Sequence, residues 1–125
     1  MIKNVKTPSA PAPVGPYSQA IICQDLVFCS GQLGIDPKTG ELSPHGTVEE
    51  VKQSLDNIRS VLEAAGSSMN KVIKVTIFMT DLDHSKAVNA IYAERFSEPF
   101  PARTTVGVAW LPLGATIEIE VVASL

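Results

Sequence analysis

Apolar residues recur with the period of an α-helix between residues 47 and 66. Spacings of three and four residues place six of them on one face: Val48, Val51, Leu55, Ile58, Leu62 and Ala65. Such a stripe predicts an amphipathic helix whose apolar side faces a core. Thr47 followed three residues later by Glu50 predicts a capping box at the start of this helix, and Gly66 predicts its end.

A second helical pattern begins near Asp83 or His84. Its buried face is predicted to carry Val88, Ile91, Tyr92 and Phe96. This helix is expected to stop before Pro99, because the residue that precedes a proline disfavours the helical conformation.

Other segments are short and apolar or alternate with a period of two, which predicts β-strands. They are residues 20–23, 26–30, 71–80, 103–110 and 115–123. The first two form a predicted hairpin around Gln24-Asp25, and the last two are joined through Pro112 and Gly114. In the segment 71–80, a period of two places four apolar residues on one side of the strand: Ile73, Val75, Ile77 and Met79.

The predicted order of elements is β-β-α-β-α-β-β, with one extra strand at the N-terminus, in a single domain spanning residues 1–125. Residues 7–16 contain four of the nine prolines and predict an extended loop. Residues 31–46 predict a turn-rich loop. This order indicates an α+β fold with a mixed six-stranded sheet and two helices packed on one face.

Composition limits the classes of function. Charged residues make up 18% of the 125 residues, below the usual value of about 25%, so we expect the chain to bury surface against copies of itself. A net charge of −3 argues against an electrostatic grip on nucleic acid. The sequence has neither an apolar run long enough for a membrane span nor the apolar core of a signal peptide, and a cytoplasmic location is expected. Cys23 and Cys29 predict neither a disulfide framework nor a metal site.

The strongest candidate for chemistry is Arg103, at the start of a predicted strand with the hydroxyls of Thr104 and Thr105 beside it. A guanidinium offers a planar fork that suits a carboxylate. Glu118 and Glu120 lie two residues apart and should project from one face of the last strand. Burial among isoleucines would raise a glutamate pKa toward the range useful for proton transfer. The alternatives are an arginine paired with a surface acid and a solvated strand face.

Four further residues are weaker candidates. Tyr17 follows the proline-rich loop, and Ser30-Gly31 ends a strand where glycine permits a close approach to a ligand. Asn89 lies between apolar positions of the second helix. Taken alone, Tyr17 can be a loop anchor, while a turn at Ser30-Gly31 and a surface amide at Asn89 are the simpler interpretations. No GxGxxG, P-loop, GxSxG or HExxH pattern occurs, so nothing predicts a nucleotide cofactor or zinc.

Together, several short motifs resemble those of the RidA family of reactive-intermediate deaminases, also called YjgF-like or endoribonuclease L-PSP-like. In chain order they are Gly15-Pro16-Tyr17-Ser18-Gln19-Ala20, Ser30-Gly31-Gln32, Thr39-Gly40-Glu41, Ala65-Gly66-Ser67-Ser68, Val88-Asn89 with Tyr92, Pro101-Ala102-Arg103 and Ile117-Glu118-Ile119-Glu120. The resemblance covers nearly the whole chain. It implies a chorismate-mutase-like fold and a homotrimer with ligand clefts at the subunit interfaces.

The resemblance also implies an activity. Family members hydrolyse 2-imino acids and enamines, such as 2-aminoacrylate and 2-aminocrotonate, to 2-keto acids and ammonia without a cofactor or metal. Arg103 matches the residue that grips the substrate carboxylate, and Glu118 matches the one that orients water. The positions that line the ligand pocket in the family correspond in this chain to Tyr17, Ser30, Gly31, Asn89 and Thr105. Many family members have cysteine where this chain has Thr105, so a mechanism that needs a thiol there is not open to it.

Two other functions remain as alternatives at this stage. One is a protein that binds 2-keto acids or related metabolites without turnover, which would use the same residues. The other is an endoribonuclease or translation inhibitor, a function attached to some relatives. The acidic composition weighs against the latter, because RNA binding generally requires a basic, aromatic-rich surface.

Overall fold

The computed structural model describes residues 1–125 and contains seven strands and two α-helices. In chain order they are β1 (Ile2–Val5), β2 (Ala20–Cys23), β3 (Leu26–Cys29), β4 (Gln32–Leu33), α1 (Thr47–Ala64), β5 (Val72–Met79), α2 (Ser85–Arg95), β6 (Ala102–Gly107) and β7 (Ile117–Ser124). Short 3₁₀ turns at Met69–Lys71, Leu82–His84 and Pro112–Gly114 connect them.

All seven strands belong to one mixed sheet with the order β1-β2-β3-β7-β5-β6, and β4 pairs with β7 beyond the end of β3. Every pairing is antiparallel except that of β5 with β6. That parallel pair needs a crossover connection, which α2 supplies. The α+β class with two helices on a mixed sheet is confirmed. The seventh strand, β4, lies where a turn-rich loop was predicted.

The core lies between one face of the sheet and the two helices. The sheet contributes Val75, Ile77, Met79, Ile117, Ile119 and Val121, and α1 contributes Val51, Leu55, Ile58, Val61 and Leu62, all nearly inaccessible to solvent. We call this covered side the helix face. The opposite side, the open face, carries no helix. Its residues follow from the strand register: Ile21, Phe28, Lys74, Thr76, Phe78, Thr104, Val106, Glu118, Glu120 and Val122.

The capping box predicted at Thr47 and Glu50 is wrong. The N-cap is Gly46 at φ +88°, and no side chain caps the helix. Both oxygens of the buried Glu50 carboxylate instead accept hydrogen bonds from Thr116, from its backbone N–H at 2.8 Å and its hydroxyl at 2.9 Å. The Thr47 hydroxyl lies 2.7 Å from that same hydroxyl. These side chains therefore tie the start of α1 to the residue before β7. The predicted end at Gly66 is confirmed by its φ of +86°.

Two residues predicted to be buried are exposed. Val48 lies in the first turn of α1 and faces solvent. Ile73 lies within a register shift between Val72 and Lys74 in the pairing of β5 with β7, and Val72 is buried in its place. An extra residue in one strand interrupts the alternation of faces, which local sequence does not reveal. The strand predicted over 103–110 also ends earlier, at Gly107.

The predicted hairpin of β2 and β3 is confirmed, with Gln24 at φ +54° in its turn. The proline-rich segment forms neither a strand nor a helix, as predicted, and it contains a turn at residues 8–9 and a bend at residues 14–16. Gln19 holds this loop in place. The buried Gln19 amide donates to the carbonyl oxygens of Thr7, Ala10 and Pro11, while its oxygen accepts from the Thr7 N–H. Neither helix is both long and apolar enough to cross a bilayer.

Gly34 packs directly against α1, and its replacement tests this contact. A Cβ at residue 34 would lie 2.5 Å from Cα and 2.6 Å from the carbonyl oxygen of Glu50. Because backbone cannot move aside cheaply, Gly34→Ala is expected to lower the free energy of unfolding by about 1–3 kcal/mol. Urea denaturation measures this change. Gly15→Ala is the control, since its Cβ would meet nothing nearer than 3.6 Å; equal stability of the two variants would contradict the prediction.

Candidate active site

Strand register places Arg103 on the helix face. In the parallel pair of β5 and β6, Arg103 lies opposite Val75 and Thr105 lies opposite Ile77. Residues directly opposite one another share a face of the sheet, and both partners on β5 are fully buried among the helices. β6 is the edge strand, so Arg103 and Thr105 remain exposed although they lie beside the core.

A small cavity lies where β6 meets the first turns of α2. Its volume is about 80 Å³, and it is lined by Ile77, Met79, Ser85, Val88, Asn89, Arg103 and Thr105. The structure thus brings together three of the predicted site residues: Arg103, Asn89 and Thr105. Ser85 was not predicted. It lies four residues before Asn89 on α2, and that helical spacing is the signal that could have identified it.

The guanidinium of Arg103 has no acidic partner. Arg59 and Arg95, the other two arginines, both pair with Asp56, at 3.3 and 2.7 Å. Arg103 instead lies over the ring of Tyr92, with its Cζ 4.7 Å from the ring centroid. Its positive charge therefore remains available to an anion that enters the cavity. The alternative of an arginine paired with a surface acid does not describe this residue.

Glu118 lies on the open face with a different set of neighbours. It is paired with Phe78 of β5 and Leu33 of β4. A Cβ on Gly31 would lie 2.8 Å from Cδ and 3.0 Å from Oε1 of Glu118, so a side chain at residue 31 would displace the carboxyl group from this position. The close approach predicted at Gly31 is therefore made by a side chain of the same protein.

Burial raises the pKa of Glu118 above its usual value, and the negative charge of Glu120 adds to the effect. Glu120 lies two residues along β7 on the same face and is exposed, whereas Glu118 is half-buried. The alternation predicted for this strand is confirmed, because Ile117, Ile119 and Val121 are buried on the other side. A carboxylate that is partly desolvated and lacks a cation is suited to accept a proton.

Ser30 and Tyr17 do not line the cavity beside Arg103. The Ser30 hydroxyl donates to the Ser18 carbonyl at 2.6 Å, and its N–H donates to the Gln19 carbonyl at 3.0 Å. Both groups therefore serve to hold the loop that precedes β2. The Tyr17 side chain is about half exposed, and this chain provides no hydrogen-bond partner for its hydroxyl.

The candidate residues thus form two clusters on opposite faces of the sheet. Arg103, Thr105 and Asn89 lie on the helix face, and Glu118 with Gly31 lies on the open face. Within one chain these clusters do not meet. One offers a cation beside a small cavity and the other offers a proton acceptor. No group of three or more His, Cys, Asp or Glu side chains is arranged to hold a metal ion.

Comparison with known proteins identifies the family. Residues 7–125 match the model of the Endoribonuclease L-PSP family. A goat (Capra hircus) protein named 2-iminobutanoate/2-iminopropanoate deaminase is 46% identical, over 95% of this chain and 87% of the goat protein. A crystal structure of RidA from the Antarctic bacterium Psychrobacter superposes with a TM-score of 0.96 at 42% identity, over 98% of this chain and 99% of that one.

A crystal structure of an Entamoeba histolytica protein assigned as endoribonuclease L-PSP also superposes with a TM-score of 0.96, at 46% identity and over the full length of both chains. Sequence and fold therefore agree along the whole chain, and they agree with the resemblance to RidA proteins that the short motifs indicate. The chain belongs to the Endoribonuclease L-PSP family.

Proposed function

We propose that the protein is a 2-iminobutanoate/2-iminopropanoate deaminase, which hydrolyses small 2-imino acids and their enamine tautomers to 2-keto acids and ammonia. The observation that carries the proposal is the Arg103 guanidinium, which has no acidic partner and borders a cavity of about 80 Å³. A cavity of this size suits an acid of a few carbon atoms. The goat relative's name adds support, since that protein is similar along nearly its whole length.

Arg103 binds the substrate carboxylate through its planar fork, which also sets the orientation of the carbon skeleton. Thr105 and Asn89 border the same space and offer backbone and side-chain hydrogen bonds. The apolar wall formed by Ile77, Met79 and Val88 accommodates the short alkyl group of the substrate.

Glu118 acts as the base. Its carboxylate takes a proton from water as the water oxygen bonds to the carbon of the protonated imine, which gives a carbinolamine, and then passes that proton to the nitrogen. The C–N bond breaks and ammonia leaves as the hydroxyl oxygen forms the C=O bond of the 2-keto acid and gives up its own proton to Glu118, from which the departing ammonia takes it. An imine carbon is already electrophilic, so positioning and a proton acceptor are sufficient for this reaction. Thr105 in place of a cysteine does not interfere, because this route uses no thiol.

The active site is assembled in a homotrimer, from the Arg103 cluster of one subunit and the Glu118 cluster of the next. The placement of the clusters on opposite faces of one sheet supports this arrangement, because one chain alone cannot bring them together. The open face has apolar members, including the exposed Phe28 and Val106, that a second subunit would cover. The low share of charged residues has the same explanation.

Removal of the guanidinium tests the binding role. Arg103→Ala is expected to lower kcat/KM by at least about a hundredfold, because two charge-assisted hydrogen bonds to the carboxylate are lost. The assay couples the protein to a serine or threonine dehydratase that generates the imine in situ and follows 2-keto acid release. Arg59→Ala is the matched control, since Arg59 is exposed and pairs with Asp56. Equal rates for Arg103→Ala and wild type would refute the assignment.

Glu118→Gln is expected to lower kcat by about 10²–10⁴-fold, the usual contribution of a general base. Glu120→Gln, the control from the same face of β7, should retain kcat.

The raised pKa of Glu118 places the acid limb of the wild-type rate profile above the ordinary glutamate range, because only the ionised form accepts a proton. Loss of the Glu120 charge lowers the pKa of Glu118, so the acid limb of the pH–rate profile of Glu120→Gln lies at lower pH than that of the wild type. Rates are measured against pH with spontaneous hydrolysis subtracted.

Two outcomes would contradict the role of Glu118. One is a Glu118→Gln variant with wild-type kcat, and the other is an acid limb that moves to higher pH in Glu120→Gln. If wild-type protein binds 2-oxobutanoate in calorimetry but never accelerates imine hydrolysis, the chain is a metabolite-binding protein instead.

Mixing two inactive variants tests the shared site. When Arg103→Ala and Glu118→Gln subunits are unfolded together and refolded at equal amounts, some interfaces receive an intact Arg103 and an intact Glu118. Random assembly into a closed ring should restore about a quarter of the wild-type activity. Each variant refolded alone is the control. An inactive mixture that still forms the wild-type oligomer, as measured by light scattering, would show that the two residues do not meet across an interface.

A further inference from the structure

Arg103 is held in place by an aromatic ring rather than by a polar partner. None of the side-chain hydrogen bonds or ion pairs in the structure involves its guanidinium. The side chain is exposed on an edge strand, where a long arginine would otherwise sample many rotamers. The one specific contact is with Tyr92 of α2, at 4.7 Å from the ring centroid, within the range of a cation–π interaction.

The ring of Tyr92 is itself fixed. The residue is only 6% exposed, and its ring lies 4.4 Å from that of Phe96, tilted by 34°. Both residues belong to the hydrophobic core, together with Val88 and Ile91 of the same helix. The surface under the guanidinium is therefore part of the core, and it cannot move without disturbing the packing of α2.

The hydroxyl of Tyr92, unlike its ring, makes no specific contact. It is buried and has no hydrogen-bond partner, a costly arrangement for a polar group. Burial raises the pKa of Tyr92, while the charge of Arg103 acts in the opposite direction. The phenol thus remains neutral at physiological pH. A carboxylate in this place would also orient Arg103 but would cancel its charge, whereas a neutral ring orients the guanidinium and leaves its charge for a ligand.

We propose that Tyr92 is the positioning residue of the active site: its ring holds the Arg103 guanidinium at the cavity in the orientation that receives the substrate carboxylate, and its hydroxyl takes no part. The inference rests on the proposed function, because it requires that Arg103 binds the substrate. It adds a residue that does not touch the substrate and acts only through Arg103.

Three substitutions separate the ring from the hydroxyl and from the core. Tyr92→Phe keeps the ring and should retain the wild-type KM and kcat. Tyr92→Leu removes the ring face and should raise KM by about three- to tenfold with little change in kcat, the effect expected from loss of a cation–π contact. Ile91→Ala is the control, since it removes buried volume from the same helix without touching Arg103; it should lower stability and leave KM unchanged.

A second series keeps the size of the ring. Phenylalanine analogues with increasing numbers of fluorine atoms, incorporated at position 92, withdraw negative charge from the ring face while preserving its shape. KM should rise steadily along the series, and the Kd for 2-oxobutanoate in calorimetry should rise with it. This series remains informative even if Tyr92→Leu fails to fold.

The outcomes are distinguishable from failure of the proposed function. If Arg103→Ala retains activity, the proposed function is wrong. If Arg103→Ala is inactive but KM is constant across the fluorinated series, only the positioning role of Tyr92 is wrong. Loss of activity in Tyr92→Phe would likewise overturn it, because the hydroxyl would then be required.

Discussion

The parallel pairing of β5 with β6 is the constraint on which the candidate site depends. Its register sets Arg103 opposite the fully buried Val75, so the guanidinium lies on the helix face beside α2. The antiparallel pairing of β5 with β7 sets Glu118 opposite Phe78, on the open face. Because side chains alternate along a strand, a slip of one residue in either ladder would transfer one of these charges to the other side of the sheet.

This separation keeps two opposite charges of one chain apart. On a shared face, the opposite charges of Arg103 and Glu118 would attract each other across β5, and each would then be less available to a ligand. In the structure, neither Arg103 nor Glu118 forms an ion pair. Arg103 rests on the ring of Tyr92, and burial together with Glu120 raises the pKa of Glu118. The partial burial of Glu118 and its proximity to Glu120 disfavour the charged form of its carboxyl group, and perturbed pKa values of this kind cluster at functional sites.

The sequence predicts both helices and the alternating faces of β7, because the spacing of apolar residues reflects which side is buried. It fails where distant segments decide the outcome. Glu50 has the spacing of a capping residue, but its partner is Thr116, sixty-six residues away. The exposure of Ile73 depends on a shift in strand pairing. The face that Arg103 occupies depends on register in the same way. The local pattern indicates a candidate carboxylate-binding arginine, and the family resemblance adds its specific role.

The exposed surfaces that favour association with a second subunit adjoin the candidate site. All six residues of the edge strand β6 are exposed, and an uncovered edge strand promotes association with other chains. The neighbouring open face exposes Phe28 and Val106, apolar surface that also favours association. In the proposed homotrimer, the contact that covers these surfaces also brings a Glu118 to an Arg103. The burial of apolar surface would then provide the free energy that places a base beside the substrate, so that an isolated chain would lack both a covered edge and a complete active site.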